Sequence, residues 1–544
     1  MLLLPKQGPC LYTLLVLLVH DDLHVEKTIF AARITHILNN VNAFQKRFFF
    51  MVGFVVSGHR GSGVRASSQL LTVTFCALSL PEGIFIFMEK LRFLIALWAC
   101  KAIRAMMRLL GRNATYLPGI IALRICPSFL ALIGKPARVI TVTGTNGKTT
   151  VANLLTDSLE KHGLSVLNNS YGSNTAAGIA CVLFTGASLF GRAKRDVAVL
   201  EVDERSAMHI LPFIQAELIV ITNLFRDSIM RNAHPEYIAG IITANVPPGT
   251  KLLLNADDLI SCNIAPENPR AYFGLERMDS DVTECINLIN DFQICRKCRS
   301  GLVYEYRRYH HIGRARCQSC DFKSPEYDYS GRPDPELGSI TVTEHDGSRA
   351  FPLPGDSVFN IYNALTAYAA LREMGLSCDE AVTALEGAAI PDSRYNESEV
   401  GGVRIIMHMG KERNALACSR AFEYVSSRPE KKELILMMNG LGDAKVWSEN
   451  ISWLYDCDFE FLDNENITRI VATGPRGLDY CLRLRFAGVP GEKLRFSEQE
   501  LESPKDLALE PGTSVYIFYG TDSLALAYRV RDAVKKRASE VNKA

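Results

Sequence analysis

The segment that most limits what this chain can fold into is Gly144-Thr145-Asn146-Gly147-Lys148-Thr149-Thr150. A short β-branched run, Arg138–Thr143, precedes it, and a helical pattern over 148–162 follows. Strand, glycine turn, then helix is the arrangement that holds phosphate. Glycines let backbone N–H groups converge on the anion, and the helix N-terminus adds partial positive charge. Lys148 would supply a full charge to the β- and γ-phosphates, and the Thr149 hydroxyl would ligate Mg²⁺. The common G-x-x-x-x-G-K-[ST] form needs glycine at 142, where this chain has Val142. The loop is therefore a shortened variant, and the expected activity is binding and splitting of ATP.

Strand and helix signals alternate around the loop. Residues 196–201 and 217–222 are buried-strand candidates, each ending in polar residues. Strands separated by helical stretches argue for a parallel sheet with helices on both faces. Ligand chemistry then belongs at the carboxyl ends of the strands. Three polar clusters, 143–147, 201–204 and 222–227, fall just past such ends. A helix is expected over 360–373. Beyond it, strand signals at 403–407, 434–438, 467–472 and 514–518 alternate with helices and describe a smaller, Rossmann-like α/β domain. The expected division is an extension at 1–87, an N-terminal helical segment at 88–137, a central ATP-binding domain at 138–393 and a C-terminal α/β domain at 394–544.

Composition narrows the partners. With 48% hydrophobic and 22% charged residues, most of the 544-residue chain should be globular. Sixty basic against 59 acidic side chains give no support for a nucleic-acid binder. The fifteen cysteines are sparse for so long a chain, which fits a reducing cytosol better than a disulfide framework. In the first 87 residues, apolar runs at 11–19, 48–56 and 70–80 are all shorter than the roughly 18–20 residues that span a bilayer. The run at 11–19 has the length of a signal-peptide core, but only Lys6 precedes it and no small-residue cleavage site stands out. An amphipathic pattern starts at Met88, which is the expected natural start. It reads as a helix to about Gly111, packed on its own protein or lying on a membrane surface.

Four cysteines form a pattern. Cys295 and Cys298 are separated by eighteen residues from Cys317 and Cys320, giving C-x₂-C-x₁₈-C-x₂-C within an insert at about 290–330. That spacing suits a tetrahedral Cys₄ zinc site, and four protein ligands leave no open position, so the expected role is structural. A strand is expected at 302–307 between the knuckles. His310 and His311 read as ordinary polar residues rather than ligands.

The shortened loop resembles that of the Mur ligase family, which builds peptide and amide bonds in cell-wall precursors. In that family ATP phosphorylates a carboxylate and an amine displaces the phosphate. Several positions carry the resemblance. Glu201 in Val199-Leu200-Glu201-Val202-Asp203-Glu204 matches the family's Mg²⁺-ligating glutamate. Asn360 and Asn363, in Asn360-Ile361-Tyr362-Asn363-Ala364, resemble its helix that meets the adenine. Arg394 and Lys411 fall where the family brings basic residues of the last domain to the nucleotide.

The cysteine ribbon is similar to that of one branch, the MurT-type ligase subunits of lipid II isoglutaminyl synthases. Thr222-Asn223-Leu224-Phe225-Arg226-Asp227 looks like that branch's T-N-x-F-R-D, and 451–460 looks like its C-terminal V-S-W-x-x-D-x-D-F-E segment. The resemblance covers roughly 88–535. It implies ATP-dependent activation of the D-glutamate α-carboxylate of lipid II as an acyl phosphate. Ammonia from a GatD-type glutamine amidotransferase, the second half of a heterodimer, would then give D-isoglutamine. It also implies a cytoplasmic chain, peripheral at the inner face of the membrane, with no glutaminase nucleophile of its own.

Some positions depart from the pattern. The family aspartate thought to complete the partner's Cys-His triad is Asn450 here, with Glu449 and Asp456 close by. An amide can orient an imidazole but carries no charge to stabilise its protonated form. Ser228 and Met230 replace Gln and Asp, and the usual G-R-x-E reads Ser393-Arg394-Tyr395-Asn396-Glu397. Two alternatives follow: a stand-alone Mur-type ligase adding an amino acid, or a non-catalytic nucleotide-binding scaffold.

Overall fold

The computed structural model describes residues 82–170, 173–226, 234–387, 395–410, 414–438, 451–520 and 523–542, and three short strands before them. These strands, β1 (Leu17–His20), β2 (Val56–Gly58) and β3 (Ser68–Val73), pair antiparallel in the order β1-β3-β2. The chain divides into two compact units, Met1–Arg92 and Phe93–Ala544. Helix α1 (Glu82–Leu109) begins six residues before the pattern that starts at Met88. Glu82 and Gly83 precede an apolar run, and the backbone is already helical through it. Among the described residues no helix is long and apolar enough to cross a membrane.

The second unit is built on two large sheets and a two-stranded hairpin. The larger uses β4 (Arg138–Thr143), β5 (Val166–Asn168), β6 (Val197–Glu201), β7 (Leu218–Ile221), β8 (Lys251–Asn255) and β9 (Arg270–Leu275). The hairpin β10 (Leu302–Tyr309) and β11 (Ile312–Cys317) forms a separate two-stranded sheet. The large sheet then adds β12 (Tyr329–Asp334), β13 (Ser339–Glu344) and β14 (Gly347–Pro352), giving nine strands in the order β14-β13-β12-β9-β8-β7-β4-β6-β5. From β12 to β5 every pairing is parallel, while β13 and β14 are antiparallel. The expected parallel sheet is present and carries an antiparallel hairpin at one edge. Short turns at Gly338 (φ +57°) and Gly347 (φ +118°) let the chain double back there, and a hairpin needs no crossover helix.

Alternate side chains of the central strands enter two cores. Ile140 and Val142, Val197 and Val199, and Leu218 and Val220 join one. Val139, Ala198 and Leu200, and Ile219 and Ile221 join the other. Burial on both faces explains why these strands read as continuous apolar runs rather than as alternation. Helices α2 (Leu117–Ile125), α3 (Phe129–Leu132), α5 (Ala176–Thr185), α6 (Ala207–Ile214) and α7 (Pro235–Asn245) contribute to the first-strand-side core of Val139. Helices α4 (Lys148–Lys161), α8 (Val358–Glu373) and α9 (Cys378–Leu385) pack on the opposite face.

The smaller sheet has six strands: β15 (Tyr395–Val400), β16 (Val403–Met409), β17 (Lys432–Met437), β18 (Ile467–Thr473), β19 (Leu494–Ser497) and β20 (Ser514–Tyr519). Their order is β15-β16-β20-β17-β18-β19, parallel except at β15. Its cores are closed by α10 (Ala415–Ser427), α11 (Trp453–Asp456) and α12 (Gly477–Phe486) on one face and α13 (Leu524–Val541) on the other.

Candidate active site

Strand β4 lies between β6 and β7, and the chain order reverses there, so a crevice opens at the carboxyl end of β4. The loop that fills it turns through Gly144 (φ +125°) and Gly147 (φ +89°). Both are left-handed values that favour glycine, and a Cβ would collide with the Thr222 hydroxyl at Gly144 and with Asn363 Oδ1 at Gly147. The end of β7 fixes the loop. Thr145 N donates to Asn223 O at 2.7 Å, Asn146 N to Asn223 Oδ1 at 3.1 Å, and Thr222 Oγ1 to Asn146 O at 2.6 Å. From the C-terminal domain, Asn414 Nδ2 donates to Asn146 Oδ1 at 3.3 Å.

Glu201 closes β6, opposite Val142 in register. Its Oε2 accepts from Thr149 Oγ1 at 2.8 Å and its Oε1 from Asn174 Nδ2 at 3.1 Å. Asn169 holds the backbone there, donating to Glu201 O at 2.9 Å and accepting from Glu201 N at 2.8 Å. A hydroxyl and a carboxylate sharing one point are the hard oxygen donors that suit Mg²⁺. Sequence reasoning missed Asn169 and Asn174. The available signal was the Asn168-Asn169 pair after Val166-Leu167, which marks one more strand end on the same sheet edge.

Lys148 Nζ lies 2.7 Å from Glu204 Oε1 and also donates to the carbonyls of Thr145, at 3.3 Å, and Gly144. The Glu204 side chain is only 5% exposed. Burial pushes its carboxyl above the usual range, against the opposing pull of Lys148. Glu204 was visible as part of an acidic cluster, but not as the counter-ion of Lys148. Thr150 is buried at the start of α4.

Other expected residues fall in different places. Asn363 is buried against Gly147, while Asn360 is half-buried in the first turn of α8, its N–H bonded to the Ser357 hydroxyl cap. Arg394, Lys411 and Asn450 lie outside the described residues, as do Asp227, Ser228 and Met230. Asp456 ends α11 and lines a cavity of about 30 Å³ with Arg226, Asp291, His310 and Trp453. Burial raises its carboxyl, partly offset by Arg226, which is itself ion-paired with Asp291.

The four cysteine sulfurs converge. Sγ of Cys295 and Cys320 are 3.6 Å apart, those of Cys298 and Cys317 3.3 Å, and all four lie within 4.8 Å of one another. These separations are too long for a disulfide. A tetrahedral zinc site with Zn–S near 2.3 Å puts its sulfurs about 3.8 Å apart, so the donor set fits one.

The far end of the same hairpin reaches toward the phosphate loop. At its tip His310 turns with φ +46°, and both histidines are buried. Neither belongs to the sulfur cluster. His311 Nε2 lies 3.3 Å from Asp258 Oδ1, and Phe225 packs on the His311 ring at 4.4 Å. Arg308 pairs with Asp257 at 3.2 Å and Asp281 at 2.8 Å, with side chains at most 1% exposed. Arg420 of α10 sits over the Tyr309 ring at 5.0 Å. This buried charge network was not legible, because its members are scattered along the sequence from Asp257 to Arg420.

Known proteins resolve the class. Residues 142–284 match the family model of the Mur ligase middle domain, so the sheet and its loop are those of a Mur-type ligase. Residues 412–521 match the model described as MurT ligase C-terminal. Lipid II isoglutaminyl synthase (glutamine-hydrolyzing) subunit MurT of Staphylococcus aureus (strain COL) is 29% identical over 72% of this chain and 88% of its own. The subunit of that name from Streptococcus pneumoniae is 29% identical over 74% and 89%. Both the central and the C-terminal domain are therefore similar to those of MurT-type Mur ligases. Solved structures agree on the fold. A pseudomurein peptide ligase type C from Methanothermus fervidus superposes with a TM-score of 0.54 at 20% identity, covering 76% of this chain and 81% of that one. MurF ligase from Thermotoga maritima, in complex with ADP, gives 0.50 at 16% identity over 78% and 84%.

Proposed function

We propose that this chain is the ligase subunit of a two-subunit enzyme that amidates lipid II, turning the D-glutamate α-carboxylate into D-isoglutamine. The observation that carries the reading is the set Lys148, Thr149 and Glu201 at adjacent strand ends, in a chain whose C-terminal domain matches the MurT type. The names of the two relatives speak of lipid II, glutamine hydrolysis and a subunit, which supports the reading; the proposed partner is a GatD-type glutamine amidotransferase.

Under this reading the loop N–H groups and Lys148 bind the phosphates of ATP. Thr149 and Glu201 would hold Mg²⁺, which would supply positive charge against the transferred phosphate. Lys148 exchanges its bond to Glu204 for one to phosphate. Asn360 and Asn363 face the adenine, and Arg394 and Lys411 approach the nucleotide from the domain at 394–544, across from the one at 138–393. The D-glutamate carboxylate attacks the γ-phosphorus and ADP leaves. Ammonia then attacks the acyl phosphate carbonyl and phosphate leaves. Asn450, with Asp456 close by in sequence, orients the partner's imidazole. Cys295, Cys298, Cys317 and Cys320 hold a structural zinc. The chain works at the cytoplasmic face of the membrane.

The test is the co-purified pair supplied with ATP, glutamine and lipid II. ATP hydrolysis should be coupled to amidation only when both subunits are present and should fall by about 10²–10³-fold in Lys148→Ala. Unchanged amidation by that variant, or transfer of an amino acid in preference to ammonia, would overturn the reading.

A further inference from the structure

Helix α1 is apolar on two sides. Phe93, Ala96, Leu97 and Cys100 enter the core. On the other side Ile95, Trp98, Ala102, Ala105, Met106 and Leu109 share one helical face and are exposed, Leu109 to 89%. A surface helix needs only one apolar stripe, and a second one facing water marks an interaction surface. The loop carrying Leu189 and Phe190, 63% and 72% exposed, extends it. Trp98 Nε1 donates to Leu189 O at 2.9 Å, so helix face and loop tip form one continuous patch.

The charge around this patch is one-sided. From 93 to 137 there are Lys101, Arg104, Arg108, Arg112, Arg124 and Lys135, and no acidic residue. From 186 to 195 there are Arg192, Lys194 and Arg195, again with no acidic residue. The rest of the chain must compensate, because its totals are 60 and 59. Burial lowers the basicity of Lys101 and Arg104, and neighbouring cations, Lys194 and Arg104 for the first and Arg108 for the second, lower it further. An apolar stripe with interfacial aromatics and a basic border matches a helix lying in the plane of an anionic membrane.

We propose that the face of α1 from Ile95 to Leu109, with the Leu189-Phe190 tip, docks on the surface of an anionic lipid bilayer. The apolar side chains enter the boundary between headgroups and acyl chains, and the exposed Arg108, Arg112, Arg192, Lys194 and Arg195 meet lipid phosphates. A second copy of the chain fits this surface poorly, since a two-fold interface would set the same cations against each other. The proposal rests on the ligase reading only for its purpose, which is to hold the enzyme beside a lipid-anchored acceptor.

The experiment is sedimentation of the full chain with vesicles of phosphatidylcholine alone or mixed with phosphatidylglycerol, without nucleotide or precursor. The expected result is pelleting with the mixed vesicles that weakens as salt is raised. Phe190→Glu or Leu109→Glu should weaken it roughly tenfold, and Arg108→Glu with Arg112→Glu by a similar factor, at unchanged melting temperature. No pelleting, or equal pelleting of wild type and variants, overturns the proposal. A wild-type dimer in analytical ultracentrifugation that Phe190→Glu disperses, without vesicle binding, assigns the face to a second copy and also overturns it. Failure of the ligase reading would appear instead as loss of Lys148-dependent turnover, which pelleting does not measure.

Discussion

The Lys148 ammonium is paired with a Glu204 carboxylate that is almost wholly buried, 2.7 Å away, so the cation meant for phosphate is held by the protein's own acid. Removing the cation is then expected to have two effects. Lys148→Ala should lower ATP turnover by about 10²–10³-fold, the usual loss for one preorganised charge-stabilising group. It also leaves Glu204 buried beside no cation, so its carboxyl rises further. A raised carboxyl favours the folded state below its folded pKa, and that stability is lost as pH rises through it. The variant should therefore melt closest to wild type in acid and fall behind as pH increases, as thermal melts across pH would show. Glu204→Gln should reduce turnover less than Lys148→Ala.

Gly147→Ala should abolish nucleotide binding while leaving the fold, because the new methyl meets Asn363 and φ is +89°. Adding Asn363→Ala removes the collision but not the backbone strain, which costs about 1–2 kcal/mol. Titration calorimetry with ATP should accordingly recover binding only in part in the double variant.

Arg308 neutralises both Asp257 and Asp281 in the interior. Arg308→Met would strand two buried carboxylates, and a loss of about 3–5 kcal/mol in urea unfolding is expected. An exposed surface pair such as Arg349–Asp379 is the control, and breaking it should change stability little.

His310 is buried, and burial pulls its pKa down to about 3. The unfolded chain therefore binds a proton at this site between roughly pH 6.5 and 3 while the folded chain does not. Stability from His310 is complete above about pH 6.5 and lost as pH falls toward 3, on the order of a few kcal/mol. His310→Asn should flatten that acid limb in chemical denaturation, whatever its effect at neutral pH.

The sulfur cluster predicts one zinc per chain by elemental analysis. Cys295→Ser or Cys320→Ser should lose the metal and lower the melting temperature, and a chelated protein should recover with Zn²⁺ but not Mg²⁺. Retention of full stability after complete metal removal would count against the site.

Much of this architecture was legible. The strand at Arg138–Thr143 and the helix at Lys148–Lys161 follow from β-branching and glycine punctuation, which are local signals. The antiparallel edge was missed because β13 and β14 expose one face and carry few large apolar residues. Asn169, Asn174 and Asn414 were missed because an asparagine looks the same in sequence whether it is solvated or braces a loop. Glu204 was one carboxylate among several until β6 and α4 brought it to Lys148.

The sequence by itself determined what depends on neighbours along the chain: the phosphate loop, the paired cysteine knuckles and the order of strands and helices. Spacing and backbone preference act over a few residues, so they leave a readable pattern. Only the tertiary structure decided which acid faces Lys148, that the ribbon's far tip supports Phe225 through His311, and that α1 keeps a second apolar face outside the core. Those outcomes depend on which distant segments share a buried space. There, burial and charge pairing set the energy, and no local pattern records them.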